Sequence, residues 1–206
     1  MREAVIKNAN LRNDPAPRCN RSGTALGVLV DWERFTPPDA KLIASRTGKF
    51  EPSIVRGVIR CSRGFPQVLL CDALIHMRPF PTSFWLACPY LTRMAGRLES
   101  RSGVSEMEGL LPDRGGAWLN YHMLHSLLRL CLLGRKRAGY LKRYRPGILR
   151  TLANGGAGGI SYTADSFFVK CLHLQIASYI ALGYHPVSDW LDEKIGRFEC
   201  GENECE

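Results

Sequence analysis

The stretch Arg78-Pro-Phe-Pro-Thr-Ser-Phe-Trp-Leu-Ala-Cys-Pro-Tyr-Leu-Thr-Arg-Met-Ala-Gly-Arg-Leu-Glu99 changes period half-way along. Prolines break it as far as Thr82, and the aromatic run Ser83–Ala87 then predicts an extended segment. Pro89 suits the first position of a helix, where a missing N–H costs nothing, so Cys88 falls at or beside the N-cap. Beyond it Leu91, Met94, Ala95 and Leu98 recur at i, i+3, i+4 and i+7 while Arg93 and Arg97 take another face, the pattern of an amphipathic helix. A strand that hands over directly to a helix places the chain among α+β folds.

Upstream, Ile54–Cys61 and Gln67–Cys71 are β-rich runs separated by Ser62-Arg-Gly-Phe-Pro66, which predicts a hairpin with Cys61 at the mouth of its turn. Pro37-Pro-Asp39 opens a helix through about Arg46 that Gly48 closes, and Thr24–Val30 reads as a short strand. Downstream, a helix over about Trp118–Leu133 stops or bends at Gly134 and resumes through a basic stretch to Tyr144, before Pro146. After the loop Asn154–Gly159, Asp165 is the expected N-cap of a helix Ser166–Leu182 that Gly183 ends; it is apolar on nearly every side and so belongs in the core. A short helix from His185-Pro186 to about Ile195 completes the series. The expectation is a mainly helical α+β fold, with a small antiparallel sheet in the first half and a helical second half around a buried central helix. Residues 1–23 read as a loosely ordered extension, 24–199 as one globular domain, and 200–206 as an acidic, cysteine-containing tail.

The 206 residues, 45% hydrophobic and 23% charged, are enough to bury a core without disulfide staples. The first seventeen residues lack the apolar run of a secretion signal, and no apolar tract reaches the length of about 20 residues that a membrane helix needs. A cytoplasmic chain without a membrane partner is expected, so the eight cysteines are read as thiols. No paired carboxylates at a diagnostic spacing, serine elbow or HExxH motif is present, which takes weight from the hydrolases that use them.

Cys61-Ser-Arg-Gly-Phe-Pro66, Pro79-Phe-Pro-Thr-Ser-Phe-Trp-Leu-Ala-Cys-Pro89, Leu98-Glu99 and Val169-Lys-Cys-Leu-His173 follow one another in this order. In that sequence they resemble the signature of the bacterial family called domain of unknown function 501, over roughly residues 41–200. Ala87 stands where the family commonly has Thr before Cys-Pro, and residues 114–144 follow no pattern of the family. The resemblance implies a shared fold and brings no activity with it.

Cys61, Cys88, Cys171 and one of Cys200 or Cys205 lie in these motifs or in the tail. Four thiolates satisfy zinc or an iron–sulfur cluster, although paired CxxC knuckles are absent. Cys61, Cys88, Cys171 and Cys200 are therefore the expected ligands, with Cys205 in reserve and Cys19, Cys71 and Cys131 as bystanders. At a helix N-terminus the Cys88 thiol is expected to lose its proton more readily, which suits a ligand and equally the nucleophile of a metal-free enzyme. Separately buried structural thiols are the plain alternative. Cys171 and His173 would diverge by about 200° on a regular helix, whereas Lys170 and His173 share a face that suits an anionic ligand.

Charge supplies the second signal. Between Arg114 and Ala164 stand nine basic residues and no acidic one, so the whole net charge of +9 lies in that segment. Arg135, Arg137, Lys142, Arg143 and Arg145 interleave with Tyr140 and Tyr144, which suits phosphate contacts and base stacking. The expected partner is a nucleic acid or polyphosphate, and the alternative is a solvated helix face or a non-catalytic nucleic-acid-binding module with structural cysteines. His122, His125 and Arg129 on one helical face are read as a partly solvated polar stripe, and Gly155–Gly159 as a flexible connection without the Lys-Ser/Thr of a P-loop.

Overall fold

A computed structural model describes residues 24–25, 28–29, 32–47, 51–162, 167–201 and 204–205. Residues 1–23, with Cys19, and the expected caps Gly48 and Asp165 lie outside them.

Two short strands, β1 (Thr24–Ala25) and β2 (Val28–Leu29), pair antiparallel where one strand was expected. Helix α1 (Pro37–Thr47) follows, and Asp39 fixes its start by accepting hydrogen bonds from the Thr36 N–H and hydroxyl (2.8 and 2.7 Å). The hairpin consists of β3 (Val55–Arg60) and β4 (Pro66–Cys71), with Val58 opposite Leu69. Its turn closes through Gly64 N–H to Cys61 O (2.9 Å), and Gly64 adopts φ +81°, which favours glycine. A small two-stranded ribbon, β5 (Leu74–Ile75) and β6 (Arg78–Pro79), leads to β7 (Phe84–Leu86) on the other edge of β4.

Strand β4 is buried along its whole length, and its two faces serve two cores. Val68 and Leu70 face the larger core with Phe84 and Leu86, whereas Leu69 and Cys71 face Ile43, Ile54 and Val58. This is the period of two expected of a strand with both faces covered. Helix α2 (Pro89–Glu99) begins after Cys88 as the N-cap and buries Leu91 and Ala95, while Arg93 and Arg97 stay exposed.

Helix α3 (Gly103–Leu110) carries no strong apolar period and was not foreseen. Helix α4 (Gly115–Tyr144) runs through a non-helical Gly134 at φ 65° and ψ 165°, the expected break. Pro146 opens a further helix, α5 (Pro146–Asn154), instead of ending the helical region. Helix α6 spans Leu172–Leu182 and packs on β7 and α2, with Gly183 as its left-handed C-cap. It begins later than expected, because residues 167–171 run without helix and Cys171 is extended at φ −168° and ψ 155°. Helix α7 (Ser188–Ile195) closes the domain. Leu172, Leu174, Ile176 and Ala177 are all buried, so α6 is the central helix anticipated. No helix among the described residues is long and apolar enough to cross a membrane.

Candidate functional site

Three clusters of chemically capable side chains stand out among the described residues. The first is a pocket between the hairpin turn, the start of α2 and the C-terminal tail, and the thiols of Cys61, Cys88, Cys200 and Cys205 line it. The tail is held there by polar stitching. Gln67 Nε2 donates to Phe198 O (2.5 Å), Ser62 N–H and hydroxyl donate to the Glu199 carboxylate, Arg63 donates to Gly201 O (2.8 Å), and Arg46 donates to Cys205 O (2.6 Å). Arg93 pairs with Glu204.

Burial pushes the Cys88 thiol upward and outweighs the N–H groups of Leu91 and Tyr90, which favour the thiolate; Cys205 and Cys200 beside it add to the rise. The expected activation of Cys88 by the helix N-terminus is thus overturned by desolvation. The Cys205 thiol is raised by burial as well, against the opposing charge of Arg46. Such thiols stay protonated unless a cation displaces the proton. Cys71 and Cys131 are buried elsewhere, and burial with the neighbouring Asp72 pushes Cys71 up to about 12.

The structure separates Cys171 from this group. It stands beside Glu99, the last residue of α2, whereas Cys88 precedes the first. Eleven helical residues at about 1.5 Å each put roughly 16 Å between the two ends, too far for one ion. Cys171 forms the second cluster with Glu99 and His173, whose donor atoms all lie within 4.8 Å of one another. Glu99 Oε1 accepts the Leu172 N–H (2.6 Å) and lies 2.9 Å from His173 Nδ1. Cys171 and His173 converge because Cys171 precedes the helix, so the regular 200° divergence does not apply. Lys170 is exposed rather than enclosed in an apolar helix, and its ammonium lies 3.5 Å from Gly158 O.

The third cluster corrects the solvated reading of α4: His122, His125 and Arg129 are 1%, 0% and 1% exposed. The Ala157 N–H donates to His122 Nδ1 (3.0 Å), which leaves the proton on Nε2. Arg129 donates to Gly156 O (2.8 Å). Gln175 Oε1 accepts from Tyr121 Oη (2.8 Å) and lies 3.0 Å from Nε2 of buried His185. Among the described residues, both nitrogens of His125, Nε2 of His122 and Nη2 of Arg129 have no hydrogen-bond partner. Desolvation lowers all three histidines, His122 to about 4 and His185 to about 3, so the cluster is neutral apart from Arg129. The glycine loop is part of this packing rather than a flexible connection, since a Cβ on Gly156 would overlap the His122 ring.

The basic segment divides in two. Arg137 bonds the Leu133 carbonyl (2.8 Å) and pairs with buried Asp72 (2.8 Å), and Arg114 pairs with Asp189 (2.6 Å). Arg137 is therefore structural rather than part of the expected anion surface. Arg135, Lys142, Arg143 and Arg145 are exposed, as are Lys136 and Arg150. Tyr140 and Tyr144 are 49% and 57% exposed with ring centroids 5.1 Å apart, and the Arg143 guanidinium lies 5.3 Å from the Tyr144 ring.

A family model described as a protein of unknown function, DUF501, matches residues 58–193. The chain belongs to this family. The match contains Cys61, Cys88 and the whole Glu99–Cys171–His173 cluster, and it ends before Cys200 and Cys205. No curated protein and no solved structure matches the chain.

Glu99 stands in the motif with Leu98, but nothing in the sequence marks it as a site residue, because its partner is 73 positions away and only the packing of α2 on α6 joins them. The buried histidines did carry a signal. Trp118, Tyr121 and Leu128 lie on the same side of α4 and mark that face as interior.

Proposed function

We propose that this protein is a cysteine-ligated metal domain, in which Cys61, Cys88, Cys200 and Cys205 hold one zinc ion, and which offers a basic helical surface to a phosphate-containing polyanion. The observation that supports this is the convergence of four thiols, from three separate chain segments, on one pocket. Burial raises the Cys88 and Cys205 thiols, and a divalent cation removes that obstacle by taking the protons' place. The four thiols are not within 4.8 Å of one another as a group, so metal binding draws the tail onto the turn and the start of α2. Zinc here acts as a staple.

The polyanion reading rests on six exposed cations around Tyr140 and Tyr144, with no ion pair to them among the described residues. Arg and Lys charges give salt-dependent phosphate contacts, and exposed aromatic rings accept stacked bases.

The test is the metal content of the full chain purified without oxygen. One equivalent of zinc that disappears in C61S and in C88S supports the reading. Brown protein with iron and sulfide would replace the zinc by an iron–sulfur cluster on the same thiols, and neither metal sinks it. For the surface, binding to polyphosphate or tRNA should weaken steeply with salt, and K142E/R143E/R145E should flatten that slope; salt-independent binding would contradict an electrostatic contact.

A further inference from the structure

Glu99, Cys171 and His173 bring three donors of different kinds to one point: a carboxylate oxygen, a sulfur and an imidazole nitrogen, all within 4.8 Å of each other. Each is held by backbone that was fixed for another reason. Glu99 ends α2, and its Oε1 is pinned by the Leu172 N–H at 2.6 Å. Cys171 takes the extended N-cap position of α6, with its sulfur facing the N–H groups of Leu174 and His173. His173 lies in the first turn of the same helix. The close approach of the chain here depends on Gly103, where a Cβ would stand 2.7 Å from Leu98 O and 3.0 Å from Leu172 Cδ1.

We propose that these three side chains form a second metal site, distinct from the cysteine pocket, which binds zinc and leaves a fourth position open. The donor set selects the ion: sulfur and imidazole disfavour Mg²⁺ and Ca²⁺, whereas one thiolate, one imidazole and one carboxylate suit a borderline-soft ion. Donors about 2.0–2.3 Å from a tetrahedral ion stand roughly 3.3–3.8 Å apart, so small side-chain rotations close the site from the 4.8 Å limit.

Three protein ligands with the fourth place free is the arrangement of a zinc that works on a ligand rather than one that staples a fold. The side chains of His173 and Glu99 are 33% and 28% exposed, so that place is reachable from solvent. One thiolate and one carboxylate neutralise Zn²⁺, and the exposed ammonium of Lys170 acts on Cys171 from beside the site. The fourth position therefore favours an anionic oxygen, such as that of a phosphate or carboxylate, or water.

The experiment strips the full chain of metal and titrates it with Co²⁺ and Zn²⁺, comparing wild type with C171S and H173Q. With both sites present, wild type takes up two ions, each variant keeps one, and the affinity for the other falls by at least about 100-fold. The visible spectrum of the ion lost in C171S should be that of a single thiolate ligand, and inorganic phosphate should perturb it in wild type. If C171S and H173Q bind as many ions as wild type with unchanged spectra, this site does not exist, whatever the pocket does. If wild type takes up one ion that C171S abolishes, this site stands and the pocket reading falls. A spectrum indifferent to phosphate at high concentration overturns the open position. H173Q can still hydrogen-bond Glu99, so it decides the matter should C171S fold poorly.

Discussion

The two cysteine clusters differ in how far they are assembled. Glu99, Cys171 and His173 stand on the ends of two helices packed against each other, and their donors are already grouped within 4.8 Å. Cys61, Cys88, Cys200 and Cys205 line a common pocket without reaching that spacing, because two of them belong to a tail held by side-chain hydrogen bonds. Core packing sets a geometry in advance, whereas a tail must be gathered by what it binds. An ion at the first site should change the fold little, and an ion at the second should stabilise it.

The largest expected effect falls on the core that both clusters share. His122 and His185 have values near 4 and 3 in the folded protein, against an ordinary 6.5, so between these limits the unfolded chain binds more protons. Stability should be greatest above about pH 6.5 and fall below it by about 3 kcal/mol per pH unit from this pair, with His125 adding to the loss. Urea unfolding between pH 7.5 and 4.5 measures it; a flat profile would mean that these rings are protonated in the core. Metal titrations that compare the two clusters therefore belong above that window.

Next in size, C88S should lower the unfolding free energy of the zinc-loaded protein by about 4 kcal/mol, the scale of a lost structural metal, while C171S costs much less. Equal losses in thermal melting would erase the distinction between the sites. Q67A removes the bond to Phe198 and should cost about 1 kcal/mol, with faster proteolytic trimming of the tail in metal-free than in zinc-loaded protein. Trimming that ignores zinc would show that the tail needs no metal to dock. Smallest of all, K142E/R143E/R145E should leave melting within about 0.5 kcal/mol of wild type and every bound ion in place.

Much of the fold was legible in residues 78–99, since a strand, a proline at the first helical position and an amphipathic repeat are all local patterns. The hairpin around Cys61, the break at Gly134 and the left-handed Gly183 were readable for the same reason. What escaped was non-local. The start of α6 at Leu172 rather than Ser166 depends on Glu99 and Glu108 taking the Leu172 and Val169 N–H groups from across the fold. That single displacement turned Cys171 and His173 from divergent neighbours into partners. All four pocket cysteines are legible as candidates, with Cys205 as the reserve for Cys200; that both line the pocket, and Cys171 does not, follows from the tail folding back on the hairpin. Desolvation, which no spacing reveals, reversed the reading of Cys88, whereas the burial of the His122–Arg129 stripe was written in its apolar neighbours Trp118, Tyr121 and Leu128.

Arg137 has a mechanical consequence. Its side chain turns back over the break at Gly134 to hold the Leu132 and Leu133 carbonyls, and Asp72, 3% exposed beside β4, anchors it together with Arg56. The course of α4 beyond Gly134, where Ala138 and buried Leu141 pack against Ala73, Leu74 and Leu152, is thereby keyed to one carboxylate. Asp72 works as a rivet: one buried carboxylate beside β4 fastens the second half of α4 to the sheet from inside the domain.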